Sequence, residues 1–526
     1  MTTARLLRPR APAPWPGLVA VLAVIVCAAP AMAVLALALA GPPLATDATS
    51  LSLIANSLAG TAALIVLGGG GATLLGAGAA LLVTLHDFPG RRVFEWLLAL
   101  PLAAPVYVLA YGYSALTWAG GPIPINLTGV AGAAFVYAVG FYPYVYLAAR
   151  ASFATQSVCA LEAARTLGAR PFATLTRVAL PLARPGIVAG AALAAMEIAA
   201  EYGAAQHFGV ATITTGVFRA WFSHGTPTVA LQLAAIVLTG AVFFLVLERR
   251  ARGRRGYAGG STRWRPIPLY RLDALAGLAA AAACAMLIGL GALAPLAWLT
   301  RLMLMRPIAD FVELGGPALN SLALALVGGA ITLFIGALVA AGARGGGAGG
   351  RLALYAASAG YAAPGAVIAL GALTLFGFAR DAGLVGGLGT SLALGLLIWT
   401  YVARFAAPAS QPMEAGLARI TRNIAGAARS LGAGPTRRMF AVDLPLAAPS
   451  VLTGALIVFV EILKELPATL LLRPFDFDTL AVRAYAYASD ERLAQSAAPA
   501  LIVTAAGLAP ILLLARRIAM ARAGAS

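Results

Sequence analysis

The 526-residue sequence is 61% hydrophobic and only 11% charged, with a mean hydropathy of +0.88. Soluble globular chains are about 45–50% apolar and about 25% charged, so this composition excludes a soluble protein and indicates an integral membrane protein. The formal net charge of +18 does not indicate a nucleic-acid partner, because most arginines fall between apolar runs, where a positive-inside topology places them.

About twelve apolar runs reach the roughly 20 residues that a membrane-spanning helix needs. In chain order they lie near 17–40, 53–84, 93–117, 127–149, 185–206, 228–247, 272–300, 319–343, 352–378, 385–403, 449–471 and 496–515. With a cytoplasmic N-terminus, the arginine-rich segments fall on the cytoplasmic side, including the basic residues from Arg404 to Arg438. The pattern predicts an all-α protein of the lipid bilayer with both termini cytoplasmic.

The sequence repeats itself at a constant offset of 264 residues. AARTLGARP (163–171) aligns with AARSLGAGP (427–435), and LPLARPGIVAG (180–190) aligns with LPLAAPSVLTG (444–454). Each copy contains about six spans, so both copies share one orientation and are expected to be related by a two-fold axis along the membrane normal. The sequence therefore predicts a first transmembrane half (1–250), a cytoplasmic linker (251–268) and a second transmembrane half (269–526).

A polar cytoplasmic segment lies between the fourth and fifth spans of each half. In LEAARTLGA (161–169) the apolar residues have helical spacing, and Gly168 stands where a helix would end in a left-handed conformation. Pro171 suits the first turn of a second helix, and Pro181 marks the start of the fifth span. We expect a helix–glycine–helix hairpin. Its duplication favours a docking element over a loop that only sets topology.

EAARTLGARPFATLTRVALP closely resembles the EAA loop of the permease subunits of binding-protein-dependent ABC importers. The resemblance implies the type I ABC importer permease fold, with about 12 transmembrane helices in two tandem six-span halves. It implies that the loops couple to ATP-hydrolysing subunits. The matching positions are Glu162, Ala163, Ala164, Gly168, Pro181, Ala427, Ala428, Gly432 and Pro445. Gly426 stands where the family has a glutamate, so the second loop is expected to dock more weakly.

A narrower resemblance concerns the cargo. EILKELPATLLLRPFDFDTLAVRAYAYASDERLAQSAAPAL (461–501) is similar to the fused permeases of ferric-iron importers, and MEIAAEYGAAQHFGVATITTGVFRAWF (196–222) matches the corresponding first-half segment. This implies a permease of the bacterial inner membrane for ferric iron. Its partners would be two copies of an ATP-binding subunit and a substrate-binding protein. Related permeases carry thiamine and polyamines, so thiamine or another small cationic solute stays an alternative.

Acidic residues occur inside two apolar runs, as Glu197 and Glu201 in the fifth and, at the same offset, Glu461 and Glu465 in the eleventh. Charges within a membrane are costly and usually functional, and carboxylate oxygens suit a hard cation such as ferric ion. Each second glutamate would lie one helical turn beyond the first, so we expect four carboxylates lining a shared translocation pathway. The alternative is a set of structural ion pairs, because Lys464 is close enough to neutralise one of them.

Arg219 and Arg483 lie on the outer side of the expected topology. They could contact the acidic surface of a substrate-binding protein, and local salt bridges in outer loops are the alternative. A stable metal site is not expected, because His86, His207 and His224 have no ligand spacing. The widely separated cysteines are expected to be packing residues; they are Cys27, Cys159 and Cys284.

The chain is not expected to be an enzyme. A phosphate-binding loop needs glycines followed by Gly-Lys-Ser/Thr, and the only lysine, Lys464, follows Leu463. We therefore expect no cofactor bound by this chain, with ATP used by a partner subunit. Two other classes stay open. A twelve-span secondary transporter also has two parallel halves but does not require the duplicated loops, and a membrane scaffold would carry no substrate.

Overall fold

The computed structural model describes residues 15–41, 47–117, 121–154, 166–168, 174–252, 269–306, 309–344, 347–387, 389–418, 420 and 422–523. Within these residues nine helices are long and apolar enough to cross a membrane, or eleven when each of two bent helix pairs counts as one span. A shorter apolar helix, Leu493–Leu508, completes the repeat. The prediction of an all-α membrane protein with about twelve spans is confirmed.

We number the spans 1 to 12 in chain order. Spans 1 to 6 are Gly17–Ala40, Ala48–Leu85, the bent pair Arg91–Ala103 and Val106–Thr117, Gly129–Ala154, Leu175–Ala200 and Pro227–Glu248. Spans 7 to 12 are Ala274–Leu304, Gly315–Arg344, the bent pair Ala348–Ala362 and Gly365–Asp381, Thr390–Ala418, Pro445–Leu463 and Leu493–Leu508. The helix of span 6 continues to Arg252 and that of span 12 to Ala523.

Short elements join the spans. The short helices are Gly203–His207, Ile213–Phe218, Ala309–Val312, Arg422–Ser430, Pro435–Arg438, Pro467–Leu472 and Leu480–Ser489. Two short strands, β1 (His86–Asp87) and β2 (Tyr270–Arg271), pair in parallel. They tie the loop after span 2 to the residues just before span 7, so the two halves are also joined on the cytoplasmic side.

Spans 3 and 9 are bent by 91° and 109°. A proline stands just before the second helix of each pair, Pro105 in span 3 and Pro364 in span 9. Proline lacks a backbone N–H and disfavours helical angles in the residue before it, so the helix breaks there. Hydropathy alone does not reveal these breaks, because both sides of each break are apolar.

The first span of each half packs against the other half. Trp399 Nε1 in span 10 donates to Val26 O in span 1 at 2.9 Å, and Tyr113 OH in span 3 donates to Leu290 O in span 7 at 2.5 Å. Both carbonyls lie in π-helical turns, which alter the helix hydrogen-bond register and offer carbonyls to outside donors. Span 1 therefore packs against the second half and span 7 against the first half, so the two halves exchange their first spans. The boundaries of the sequence halves stay a prediction, and the linker 251–268 lies almost wholly outside the described residues.

Candidate translocation cavity and coupling loops

A cavity of about 110 Å³ lies between the two halves. All four glutamates singled out in the sequence line it, together with two basic side chains; the six residues are Glu197, Glu201, Glu461, Glu465, Arg404 and Lys464. The carboxylates do not form a chelating cluster. Within the described residues, no three His, Cys, Asp or Glu side chains are arranged to hold a metal ion. The site is therefore a lined space whose acidic groups each have a distinct environment.

Glu201 lies beyond the end of a helix. Span 5 stops one residue before it, and Glu201 has extended backbone angles (φ −74°, ψ 132°). Its carboxylate accepts hydrogen bonds from Ala204 N at 2.9 Å, from Ala205 N at 3.1 Å and from the Tyr137 hydroxyl at 2.6 Å. The prediction that Glu201 continues the helical face of Glu197 was wrong, because its carboxylate caps the N–H groups of the next short helix.

Glu465 has the equivalent position after span 11 and a different charge partner. It accepts a hydrogen bond from Ala468 N at 3.1 Å and pairs with Arg404, whose Nη1 lies 2.8 Å from Glu465 Oε2. Arg404 lies in the middle of span 10, so the interpretation that grouped it with the cytoplasmic arginines was wrong. Its charge is accommodated inside the membrane because the guanidinium is paired and hydrogen-bonded.

Glu461 is neutralised by the only lysine of the chain. Lys464 Nζ lies 2.7 Å from Glu461 Oε1, one helical turn away along span 11. The alternative that Lys464 pairs with one of the four glutamates is thus confirmed for Glu461. Tyr107 of the first half also contacts this residue, since its hydroxyl lies 3.5 Å from Lys464 O.

Glu197 is the glutamate with the weakest structural explanation. Within the described part of the chain it has neither a hydrogen bond nor an ion pair, although its charge interacts with those of Glu461, Arg404 and Lys464. Its side chain is partly buried between the halves. An acidic group inside the membrane is costly and usually functional, so Glu197 is the strongest candidate for a pathway residue.

The carboxylates of the cavity are duplicated, whereas its cations are not. At the offset of 264, Gly140 corresponds to Arg404 and Ala200 corresponds to Lys464, and both small residues also line the cavity. The second half therefore contributes both positive charges. The same alignment pairs Tyr137 with Tyr401, which is three residues before Arg404. Because Tyr137 lies well inside the fourth apolar run, this pairing could have placed Arg404 inside the equivalent span.

The second coupling loop (419–443) has the predicted hairpin. The helix Arg422–Ser430 ends at Gly432, whose φ of 77° is left-handed. Ala433 N donates to Ala428 O at 3.0 Å, which is the hydrogen bond that closes a glycine-terminated helix end. The helix Pro435–Arg438 follows, and Pro445 is the second residue of the helix Leu444–Leu463. Ala427 and Ala428 lie in the first helix of this hairpin.

The first coupling loop (155–179) is described only in part. Gly168 has a φ of 80°, as predicted for a residue that ends a helix, and Pro181 is the second residue of the helix Leu180–Ala200. Glu162, Ala163 and Ala164 lie outside the described residues.

One exposed leucine precedes the left-handed glycine of each coupling loop. Leu167 is 87% exposed and Leu431 is 83% exposed, and they are 264 residues apart. Most large apolar side chains that are this exposed in a membrane protein face lipid, but these two lie in the polar loops between spans 4 and 5 and between spans 10 and 11. An exposed apolar residue thus stands at the same point of both loops.

The two outer arginines have different surroundings. Arg219 is exposed and lines a cleft on the outer side with His224. Arg483 instead lies 3.5 Å from Asp478 and 3.9 Å from Glu313, and it stacks over Tyr487. Local salt bridges, the alternative considered from sequence, are therefore present at Arg483.

The two arginines are also not equivalent in the fold. The helices that carry them begin after Thr212 and Thr479, which cap them and are 267 residues apart. Arg219 is seven residues beyond its cap and Arg483 only four, so the offset of 264 does not align them structurally.

Two of the three cysteines are buried free thiols, Cys27 and Cys284, in agreement with a packing role. Cys159 lies outside the described residues.

Both halves are similar in sequence to known transport proteins. The family described as binding-protein-dependent transport system inner membrane component matches residues 72–255 and 332–519. The chain is 25% identical over 472 residues to the Fe(3+)-transport system permease protein FbpB 2 of Haemophilus influenzae, covering 88% of this chain and 90% of that protein. It is 29% identical over 199 residues to the molybdenum transport system permease protein ModB of Escherichia coli K12, covering 34% of this chain and 86% of ModB. With one match in each half, spanning well over half of its length, the chain belongs to the family of inner membrane components of binding-protein-dependent transport systems.

Proposed function

We propose that this permease carries ferric iron across the bacterial inner membrane, driven by two copies of an ATP-binding subunit and supplied by a substrate-binding protein. The family establishes the coarser statement: the chain is the multi-pass inner-membrane permease of a binding-protein-dependent importer and is not itself an enzyme. A secondary transporter and a scaffold without transport do not fit this family. The observation that carries the cargo proposal is the cavity between the halves.

The cavity favours a hard cation over an apolar or anionic cargo. Its four carboxylates outnumber its two basic side chains, and oxygen ligands suit small, highly charged cations. Glu197 and Glu461 come from equivalent positions of the two halves, so a cation between them would contact both. The relative that matches along most of the chain is named as a permease for Fe(3+).

The cargo is tested by uptake into cells that lack this chain and are complemented with it. The expected result is that complementation restores accumulation of radiolabelled ferric iron, and that depletion of ATP abolishes this uptake. Thiamine and molybdate are measured in parallel as competing cargoes. Restored uptake of thiamine or molybdate without iron would overturn the iron proposal and leave the permease assignment in place.

We assign coupling to the ATP-binding subunits to the residues that match the EAA pattern, and the exposed leucines extend this set. Both loops lie between equivalent spans and display Leu167 and Leu431, so two copies of one ATP-binding subunit can be engaged in the same way. Closure of the two subunits on ATP would draw the loops together. The halves would then switch between outward-facing and inward-facing states.

The missing glutamate of the second loop leads to a prediction about the two loops. Glu162→Ala is expected to impair transport more than Gly426→Ala, because only the first removes a docking side chain. A β-carbon at Gly426 would meet no atom within 4 Å, and alanine is more favourable than glycine within a helix by about 0.5–1 kcal/mol. Gly426→Glu is therefore expected to fold and to strengthen association with the ATP-binding subunit. Transport rate and co-purification of that subunit measure both effects, and equal loss from Glu162→Ala and Gly426→Ala would contradict the inequality.

A further inference from the structure

The two ends of the second coupling loop meet at one arginine of span 8. Arg344 is the last residue of that span, and its Nη2 donates to Ile420 O at 3.4 Å, just after span 10. Its Nη1 lies 3.5 Å from Asp443 Oδ1, just before span 11. The guanidinium therefore bridges Ile420, near the start of the loop, and Asp443, at its end.

The carboxylate in this contact is buried and doubly paired. Asp443 is only 4% exposed, and its other oxygen accepts a hydrogen bond from Arg438 Nε at 3.2 Å. A buried carboxylate is tolerated when its charge is paired, and removing Arg344 would leave Asp443 with Arg438 as its remaining ion-pair partner in the loop. Ile420 is also buried, at 8% exposure. The contact is thus a packed element of the cytoplasmic surface and not a solvated surface pair.

The first half cannot form this contact. At the offset of 264, Ala80 corresponds to Arg344, Ala179 to Asp443 and Thr174 to Arg438. None of these residues carries a charge, so the ion pairs of Arg344, Asp443 and Arg438 have no counterpart at the equivalent positions. The loop that has them is also the one with Gly426 in place of the glutamate of the EAA pattern.

Span 8 connects this contact to the cavity. A β-carbon at Gly328 of span 8 would lie 3.4 Å from Tyr401 of span 10 and 3.5 Å from Ile462 of span 11. Tyr401 is three residues before Arg404, and Ile462 directly follows Glu461. Arg404 and Glu461 are two of the charged residues that line the cavity. Close packing of this kind transmits small displacements, since packed interiors deform little.

We propose that Arg344 is a positioning residue that clasps both ends of the second coupling loop to span 8, so that movement of the loop on the ATP-binding subunit moves the wall of the cavity. The clasp rests on the proposed docking of the coupling loops. It makes coupling through the second loop depend on an ion pair between Arg344 and Asp443.

The test uses the full chain reconstituted with its ATP-binding subunit and substrate-binding protein, and compares Arg344→Ala and Asp443→Asn with Arg351→Ala. Arg351 is an exposed arginine at the start of span 9, on the same side of the membrane. Arg344→Ala and Asp443→Asn are expected to keep the ATP-binding subunit bound and to keep basal ATP hydrolysis. The cargo transported per ATP is expected to fall about tenfold, within the usual range of coupling between two sites.

Transport per ATP, Tm and binding of the ATP-binding subunit together separate a positioning role from a purely structural one. Arg344→Lys keeps a charge for Asp443 but not the forked guanidinium, so transport per ATP is expected between that of the unaltered chain and Arg344→Ala. If Arg344→Ala and Arg351→Ala transported the same amount of cargo per ATP, the clasp would be overturned. Parallel loss of Tm, subunit binding and transport would also overturn it, by showing only a role in folding. No association of the ATP-binding subunit with the unaltered chain would instead overturn the docking proposal.

Discussion

Replacing both Glu197 and Glu461 by glutamine is expected to reduce iron uptake more than about tenfold, which corresponds to a barrier increase of only about 1.4 kcal/mol. Glutamine has the same shape and hydrogen-bonding reach but no charge. A trivalent cation that leaves water needs carboxylate oxygens inside the membrane, and these two residues offer them from equivalent positions. Glu197 has no ion pair within the described residues, whereas Glu461 is paired with Lys464. Uptake of radiolabelled ferric iron, normalised to protein abundance, measures the effect.

The single variants distinguish the role of Glu197 from that of Glu461. Glu197→Gln removes a charge that has no ion pair within the described residues, so it is expected to lower uptake without lowering the thermal midpoint. Glu461→Gln leaves Lys464 without its carboxylate and is expected to lower both. Asp381→Asn is the control, because Asp381 is an exposed acid outside the cavity. Normal uptake by the double variant at normal abundance would remove the pathway assignment.

Leu431→Asp is expected to weaken association with the ATP-binding subunit more than about tenfold, and Leu167→Asp is expected to do the same. Burying a leucine side chain contributes about 1.5–3 kcal/mol, and an aspartate in the same position would also have to lose its hydration. Both leucines are exposed in this chain, so the substitution should not disturb its own fold. The affinity of the purified ATP-binding subunit for the permease in detergent measures the effect.

Leu384→Asp provides a matched control for the leucine variants. Leu384 is 78% exposed in the loop between spans 9 and 10, on the opposite side of the membrane from the coupling loops. This change should leave the affinity as it is in the unaltered chain. Unchanged affinity in both coupling-loop variants would exclude the leucines as docking residues, although the hairpins could still engage through other side chains.

The coupling hairpin illustrates how far local sequence can be read. Gly432 was expected to end a helix and does so with left-handed φ, because only the residues within one turn decide that geometry. The span count was predictable for a similar reason, since hydropathy summed over about 20 residues is a local property. The bends at Pro105 and Pro364 were within reach of the same reasoning but were hidden in continuous apolar runs.

The charges of the cavity illustrate where that reading stops. Glu465 was expected on a helical face and instead caps a helix and pairs with Arg404, which lies 61 residues away in sequence. Hydropathy near the end of an apolar run could not decide whether Arg404 lay in span 10 or in the following loop. Only the packing of span 10 against span 11 shows that its partner is a buried carboxylate.

The sequence by itself determined the membrane class, the tandem repeat, the hairpin of the second coupling loop and the positions of the acidic residues, because each of these is a periodic or local property of the chain. The tertiary structure decided which carboxylates are neutralised, that the first spans are exchanged between halves, and that Arg344 joins both ends of one loop. These features depend on side chains that are distant in sequence and meet only when the spans pack. Burying an unpaired charge or carbonyl is unfavourable, so each such group is stabilised by a partner that the fold brings close to it.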